Sequence, residues 1–329
     1  GGKPVVLAYT REETFHATRT RHAMKFHLTT YVRKDGSFAA RSIKVYSNQG
    51  AYASHGHALA ANAANAFRML YPVGAIKGEA YTVYTNLTTA GAMRAYGIPQ
   101  SMFALESHID DICRATGLDP ITIRKQNMMK LGYVDGPTTI TCHSTGLEEC
   151  IDRGVAYLDY DRKRAEYAKA SGPIRRGVGM SIFCSKSGVY PINLETSSVR
   201  MLLNQDGSLQ VQMGATEIGQ GADTVFSMMA AETIGVTLDK IHFVSKQDTD
   251  VTPWDSGAYG SRQSYVSGMA VKKTAESLKR KILEYAGFML KKDPWDLDIK
   301  NNTIVHTNQD KALLTVAQVA LESCYNMEN

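Results

Sequence analysis

Cysteine is scarce in this chain and carries no pattern. The 329 residues include five, Cys113, Cys142, Cys150, Cys184 and Cys324, and no two of them make a C-x-x-C pair. An odd count in a chain of this size argues against a disulfide scaffold and fits reduced, cytoplasmic thiols. The nine histidines form neither H-x-x-x-H nor H-E-x-x-H. His55 and His57 could share one side of a strand, but no third ligand accompanies them, and ordinary hydrogen-bonding roles compete with a metal site. No apolar run approaches the roughly 18 residues of a membrane span. No N-terminal stretch has the basic, apolar, small-residue order of a signal peptide. These absences predict a cytoplasmic chain without a membrane partner. Charge of one sign is also in short supply, with 37 Lys and Arg against 32 Asp and Glu. Lys272-Lys273 and Lys279-Arg280-Lys281 fall on one expected helix and read as a solvated face, not as the broad basic stripe of a nucleic-acid site.

Two nucleotide signatures are missing as well. Gly214 to Gly219 has the spacing G-x-x-x-x-G, but Gln220-Gly221 follows where a phosphate-binding loop needs Lys and Ser or Thr. No G-x-G-x-x-G follows a strand, so a dinucleotide site has little support.

What is present is a globular composition, 43% hydrophobic and 21% charged, in a length that suits two domains. The chain opens at Gly1-Gly2-Lys3 without Met, as if cut from a longer protein or processed. Pro4 to Tyr9 reads as a short buried strand, and Arg11-Glu12-Glu13 as a brief helical turn. Extended stretches at 22–33 and 38–47 flank Lys34-Asp35-Gly36-Ser37, a hairpin signal. A helix is expected over 51–68 and a strand over 78–86. Met102, Leu105, Ile109 and Ile112 share one helical face, ended by Gly117. Asp119-Pro120 caps another helix. A charged helix over 147–170 is expected to connect two lobes, residues 1–150 and 151–329. In the second, strands near 177–184 and 196–203 lead to the turn Asn204-Gln205-Asp206-Gly207. A strand at 208–213, a helix at 221–234 stopped by Gly235, a strand at 240–245 and a long helix at 262–290 follow. The class is α+β, two lobes of mixed or antiparallel sheets with packed helices.

Two glycine-rich loops carry the chemistry. Gly214-Ala215-Thr216-Glu217-Ile218-Gly219-Gln220-Gly221 and Ser256-Gly257-Ala258-Tyr259-Gly260-Ser261-Arg262-Gln263-Ser264 each follow a strand and precede a helix. Glycine lets backbone approach a ligand, and a helix N-terminus offers N–H groups to an anion. One phosphorylated ligand held from two sides is the functional reading, and two structural turns the bland one. Gln220 supplies a neutral donor and acceptor, Ser261 and Ser264 hydroxyls. A third loop, Gly91-Ala92-Met93-Arg94-Ala95-Tyr96-Gly97, places an arginine between glycines before a helix, where it can be aimed at an anionic centre. A plain surface arginine is the alternative, and Tyr96 could be a core aromatic.

Taken together, these segments resemble the molybdenum hydroxylases, the xanthine dehydrogenase and aldehyde oxidoreductase family. Ala92 to Gln100 is similar to that family's arginine loop, Thr216 to Gly221 to its T-E-x-G-Q-G pterin loop, and Gly257 to Gly268 to a later cofactor loop. Order and spacing match over nearly the whole chain, with the bacterial xanthine dehydrogenases and purine hydroxylases most alike. The resemblance implies a central-to-late fragment of the molybdopterin-binding large subunit. It implies hydroxylation of a purine or other N-heterocycle of the xanthine or hypoxanthine type, with water as oxygen source. The cofactor would be molybdenum on molybdopterin, in bacteria often the cytosine dinucleotide. Electrons would leave through iron–sulfur clusters to FAD on other segments or subunits, and the rest of the molybdenum subunit would be a partner. Residue by residue, Arg94 matches the catalytic arginine that stabilises charge on the substrate. Tyr96 matches an aromatic packing on the heterocycle, and Tyr190 falls at a substrate-lining position. Gly219, Gln220 and Gly221 match pterin contacts. Gly260 lies near the metal, and Ser261, Arg262 and Gln263 face the pyrophosphate or nucleotide. Arg94 and Gly260 stand near molybdenum without any direct side-chain ligand.

The chain also departs from the family pattern. The G-G-F-G-G-K/R loop is absent, with only Gly1-Gly2-Lys3 like it. The glutamate base in its G-E-P context does not occur. Asn62 falls where xanthine-oxidising members carry a substrate-binding arginine, which disfavours xanthine itself. No iron–sulfur or flavin motif is present. The fragment is therefore expected to be inactive alone. A binding or assembly module that kept the fold and lost the chemistry is the competing reading.

Overall fold

Two Asp-Gly-Ser turns, far apart in sequence, are closed by the same hydrogen bonds. Asp35 Oδ1 accepts from Ser37 N at 2.9 Å and from Ser37 Oγ at 2.7 Å. Asp206 Oδ1 accepts from Ser208 N at 3.0 Å and from Ser208 Oγ at 2.6 Å. The Asp side chain mimics a turn of backbone, and Gly36 (φ 85°) and Gly207 (φ 78°) take the left-handed positions. Each turn joins a hairpin that starts one lobe. The computed structural model describes residues 2–185, 187–189, 195–244 and 248–326. They form two compact units, Gly1–Ser185 and Lys186–Asn329.

In the first unit α1 (Arg11–Ala17) opens with a capping box: Thr10 accepts from Glu13 N, and Glu13 returns to Thr10 N. β1 (Met24–Val32) pairs antiparallel with β2 (Phe38–Gly50), and burial alternates along β1 with a period of two. α2 (Gly56–Asn65), followed by a 3-10 turn at Ala66–Arg68, returns the chain to β3 (Ala75–Tyr84), which runs parallel to β2. α3 (Ile98–Thr116) buries Met102, Leu105, Ile109 and Ile112 as the helical spacing predicts, and ends at Gly117 (φ 72°). Asp119 caps α4 (Pro120–Asn127) by accepting from Ile121 N and Thr122 N. The single helix expected over 147–170 is two, α5 (Leu147–Leu158) and α6 (Tyr160–Ala168), broken where Asp159 turns left-handed (φ 51°).

Two expected strands do not form. Pro4 to Tyr9 is unpaired, and Val5, Val6 and Leu7 are 88%, 91% and 77% exposed. Residues 177–184 join no sheet either. A short apolar run becomes a strand only where a neighbour completes its ladder. Ile151 and Ile182 are buried in the first core, so compactness divides the chain after Ser185, later than the expected 150/151.

That core sits between sheet and helices around Ile43, Val45, Phe67, Leu70, Leu105 and Ile109. A charged knot runs through it. Tyr71 OH donates to Glu106 Oε1 at 2.6 Å, and Arg124 Nε to Glu106 Oε2 at 2.8 Å. Arg124 Nη2 reaches Asp110 at 2.8 Å, and Ile182 N donates to Glu106 at 3.0 Å. Burial works against the Arg124 charge, but the two carboxylates outweigh it and raise its pKa.

The second unit repeats the plan. β4 (Val199–Leu203) and β5 (Leu209–Met213) are antiparallel, and α7 (Ala222–Ile234) leads to β6 (Ile241–Val244), parallel to β5. The third strand of each sheet is thus parallel, because a helix separates it from the hairpin. α8 (Gly268–Leu290) follows a π-helical turn at Gln263–Ser267. β7 (Leu297–Lys300), β8 (Thr303–His306) and β9 (Gln309–Thr315) form a further antiparallel sheet, and α9 (Val316–Tyr325) closes the unit with a Thr315–Gln318 capping box. Leu209, Val211, Met213, Phe226, Ala230, Val271 and Ile304 make the core.

Candidate functional site

In the first unit the arginine loop is tied down by its backbone and leaves its arginine free. Ala95 (φ 69°), Tyr96 (φ 42°) and Gly97 (φ 90°) are three successive left-handed residues. The two with side chains cost on the order of 1–3 kcal/mol each. Specific bonds hold this conformation. Asn62 Nδ2 donates to Tyr96 O at 2.7 Å, Arg21 Nη2 to Arg94 O at 2.8 Å, and Ile98 N to Ala95 O at 3.0 Å. The side chain of Arg94 is exposed, and its guanidinium hydrogen-bonds no described residue. A cation mounted on a rigid loop without a carboxylate partner is suited to charge that develops on a ligand. The Tyr96 hydroxyl meets His55 Nδ1 at 3.0 Å, with the two rings edge-on at 5.8 Å. Burial pushes the Tyr96 phenol up. His55 was not singled out as a partner, since nothing in the sequence ties it to a residue 41 positions away.

In the second unit the two glycine loops come together. A Cβ on Gly214 would stand 2.4 Å from Pro253 O and 2.8 Å from Asp255 N, so only glycine permits this approach. Gln263 Nε2 donates to Thr216 O at 3.0 Å, Gln220 Nε2 to the same oxygen at 2.9 Å, and Gln220 also bonds Gln263 Oε1. Gly219 (φ 93°) and Gly221 (φ 83°) present bare backbone, with nothing within 4 Å of where a Cβ would stand. Gly260 (φ 58°) accepts from Gly188 N at 2.6 Å, and Ser261 (φ 54°) is exposed beside it.

Arg262 differs from the expectation that it faces a ligand. Its side chain is fully buried and all three nitrogens point inward: Nε to Glu195 at 2.7 Å, Nη1 to Asp255 at 2.8 Å and Gly257 O at 3.2 Å, Nη2 to Thr196 O at 2.6 Å. It braces the loop from beneath. Burial alone would raise the Asp255 carboxyl, but bonds from Ser197, Gly257 N and Ser267, with the Arg262 charge, hold it below the usual range. Glu195 is held low in the same sense: burial pushes it up, and the Arg262 bond and Val189 N outweigh that.

The N-terminus of α7 also differs from expectation, because a side chain already occupies it. Glu217 Oε1 accepts from Gly219 N at 2.6 Å and Gly221 N at 3.2 Å, and Oε2 from Asp223 N at 3.3 Å. Those amides are not free for an outside anion. Glu217 is not identified from the sequence as the cap of this helix start, although a Glu two and four residues before glycines there is a signal for it. Tyr190 lies outside the described residues.

Among the described residues no group of three or more His, Cys, Asp and Glu is placed to hold a metal ion. All five cysteines are free thiols. No helix among the described residues is long and apolar enough to cross a membrane.

Comparison with known proteins adds the family. A model described as a molybdopterin cofactor-binding domain matches residues 153–329, and a second of the same description matches residues 1–128. The xanthine dehydrogenase molybdenum-binding subunit of Escherichia coli O157:H7 is 44% identical over 329 residues, which is 100% of this chain and 44% of that protein. Among solved structures, quinoline 2-oxidoreductase from Pseudomonas putida 86 superposes with a TM-score of 0.84 at 20% identity, over 96% of this chain and 42% of that one. Aldehyde oxidoreductase from Desulfovibrio gigas superposes with a TM-score of 0.72 at 29% identity, over 82% and 30%. The chain thus spans less than half the length of these relatives. With both models matching along it and this degree of likeness to the relatives, the chain belongs to the molybdopterin cofactor-binding domain family of the molybdenum hydroxylases.

Proposed function

We propose that this chain is the molybdopterin-binding portion of an oxidoreductase that hydroxylates a purine or other N-heterocycle with water as oxygen source. The observation that carries the reading is the junction of the two glycine loops through Gln220 and Gln263, beside glycine backbone with open space above it. The loop fits a flat cofactor by its room: Gly219 and Gly221 leave the space that a Cβ would fill, while Glu217 and the Gln220–Gln263 pair hold the loop in shape around it. When bound, the molybdenum cofactor supplies the redox centre for the two-electron oxidation.

The chain's own residues do the rest. In the second unit Gly219, Gln220, Gly221 and Gln263 hold the pterin, with Gly260 and Ser261 presenting backbone and hydroxyl to the cofactor. Arg262 serves indirectly, as the brace of that loop. In the first unit Arg94 stabilises negative charge building on the heterocycle, and Tyr96 packs on its ring with its hydroxyl tethered by His55. Asn62 spends its amide on Tyr96 O and holds the loop, so xanthine recognition by an arginine at that place is not available. The base glutamate, the iron–sulfur clusters and the FAD belong to other segments or subunits. The pterin takes its cytosine dinucleotide form, and the enzyme works in the cytoplasm.

The test is molybdenum content, by elemental mass spectrometry, of the full polypeptide carrying this segment, together with dye-linked oxidation of hypoxanthine and of unsubstituted heterocycles. About one metal per chain is expected. Arg94→Ala should keep its metal and its melting temperature while turnover falls by roughly 10²–10³, the scale seen when one charge-stabilising donor is lost. A metal-free protein from a host that makes the cofactor would overturn the reading in favour of a non-catalytic assembly module.

A further inference from the structure

The residue that the structure adds to the cofactor loop is Glu217. A helix start leaves its first amides without intrahelical partners. The residue at the N-cap of α7 is Gly221, which is left-handed and has no side chain to cap with. Glu217 fills that gap from four residues upstream, with three amide hydrogen bonds to one carboxylate. The bonds span both sides of Gln220, so the carboxylate fixes the Gly219–Gly221 segment. Gln220 is folded accordingly: its Oε1 accepts from Ile218 N at 2.6 Å and its Nε2 is aimed at Thr216 O and Gln263. A negative charge at this point is also favoured by the helix dipole. Burial would push the Glu217 carboxyl up, but the backbone amides of Gly219, Gly221 and Asp223 outweigh it and hold it below its ordinary value.

We propose that Glu217 is a positioning residue for molybdopterin binding: it takes the place of an external anion at α7 and keeps the Gly219–Gly221 loop preformed for the cofactor. The second half of this statement rests on the function proposed above. It follows that α7 is not where an anionic part of the cofactor is held. It follows also that the loop is ordered before the cofactor arrives, so binding does not meet the cost of ordering it.

The experiment compares wild type with Glu217→Gln and Glu217→Ala in the full polypeptide, by hydrogen exchange resolved to single amides and by molybdenum content. Glu217→Ala should speed exchange at Gly219, Gly221 and Asp223 at least about tenfold, one decade of opening free energy being about 1.4 kcal/mol, with Glu217→Gln between. Amides of Val211 and Ala275, in the core, should not change, which separates local release from unfolding. Metal content should fall in the same order. Inorganic sulfate should restore protection of Gly221 and Asp223 in Glu217→Ala and have no effect on wild type, a rescue that a purely packing role would not show. Unchanged exchange at the three amides in Glu217→Ala, or full metal content after their release, would overturn the proposal. If wild type itself carries no molybdenum, the proposed function fails, and the exchange and sulfate results alone decide whether Glu217 holds the loop.

Discussion

Replacing Arg262 with Met should unfold the second glycine loop's support without touching its exposed surface. The guanidinium is fully buried and makes ion pairs of 2.7 Å to Glu195 and 2.8 Å to Asp255, the latter also fully buried. Met fills much of the volume but leaves two carboxylates and the carbonyls of Thr196 and Gly257 without their donor. Removing one partner of a buried, hydrogen-bonded ion pair costs about 3–5 kcal/mol. For a unit of this size that lowers the melting temperature by roughly 6–20 °C, at about 2–4 °C per kcal/mol. The pH dependence carries a sign. In wild type both carboxyls are held below the usual range, so their contribution is present above ordinary carboxylate pKa values and is lost as pH falls through the depressed ones. In Arg262→Met the same carboxyls are buried without a cation and their pKa values rise, so their penalty is greatest at neutral pH and is relieved by protonation. The gap between the two proteins should therefore narrow between pH 7 and about pH 4, near the carboxylate reference values. Differential scanning calorimetry at both pH values measures it. A melting temperature within about 2 °C of wild type at pH 7, the range of an ordinary surface change, would refute the brace and return Arg262 to a ligand-facing role.

Other expectations follow from single contacts. Tyr71→Phe removes the 2.6 Å donor to buried Glu106 and should cost about 1.5–3 kcal/mol in urea unfolding, the range for hydrogen bonds to charged groups. Gly235→Ala and Gly219→Ala both place a side chain at positive φ, but only at Gly235 would the new Cβ meet backbone, Ile299 O at 1.9 Å. Gly219→Ala should therefore cost about 1–2 kcal/mol and Gly235→Ala clearly more, measured under the same conditions. Tyr96→Phe breaks the His55 contact in a part-exposed setting. Stability should change by about 1 kcal/mol or less, while on the packing role proposed for Tyr96 the KM for the substrate shifts more than kcat, as expected for a residue that binds ground and transition states alike.

Much of the framework was legible because its signals are local. The helical face of Met102, Leu105, Ile109 and Ile112, the Asp119-Pro120 start, the Gly117 and Gly235 stops and both Asp-Gly hairpins depend on residues within a few positions, and all of them formed. The failures are of another kind. Pro4 to Tyr9 and residues 177–184 have strand-like composition, but a strand exists only if another segment supplies its hydrogen bonds. Asp159 broke an expected continuous helix because a single left-handed residue leaves little trace in periodicity. The parallel direction of β3 and β6 was not legible either, since it follows from how each helix crosses over its sheet.

The amino-acid sequence by itself determined the class of fold, the positions of the three loops and the family, because glycine spacing, caps and motif order are properties of neighbouring residues. Which side chains within those loops are free was decided only by tertiary structure. Arg94, Arg262 and Glu217 are all charged residues in glycine-rich loops. Arg94 is left exposed without a described partner, Arg262 is enclosed by Glu195 and Asp255, which lie 67 and 7 residues away, and Glu217 is spent on the amides of α7. A charge keeps its reach toward a ligand only when folding brings no closer partner to it: Glu217 finds its partners within six residues, whereas Arg262 is closed off by Glu195, which only the tertiary fold brings to it.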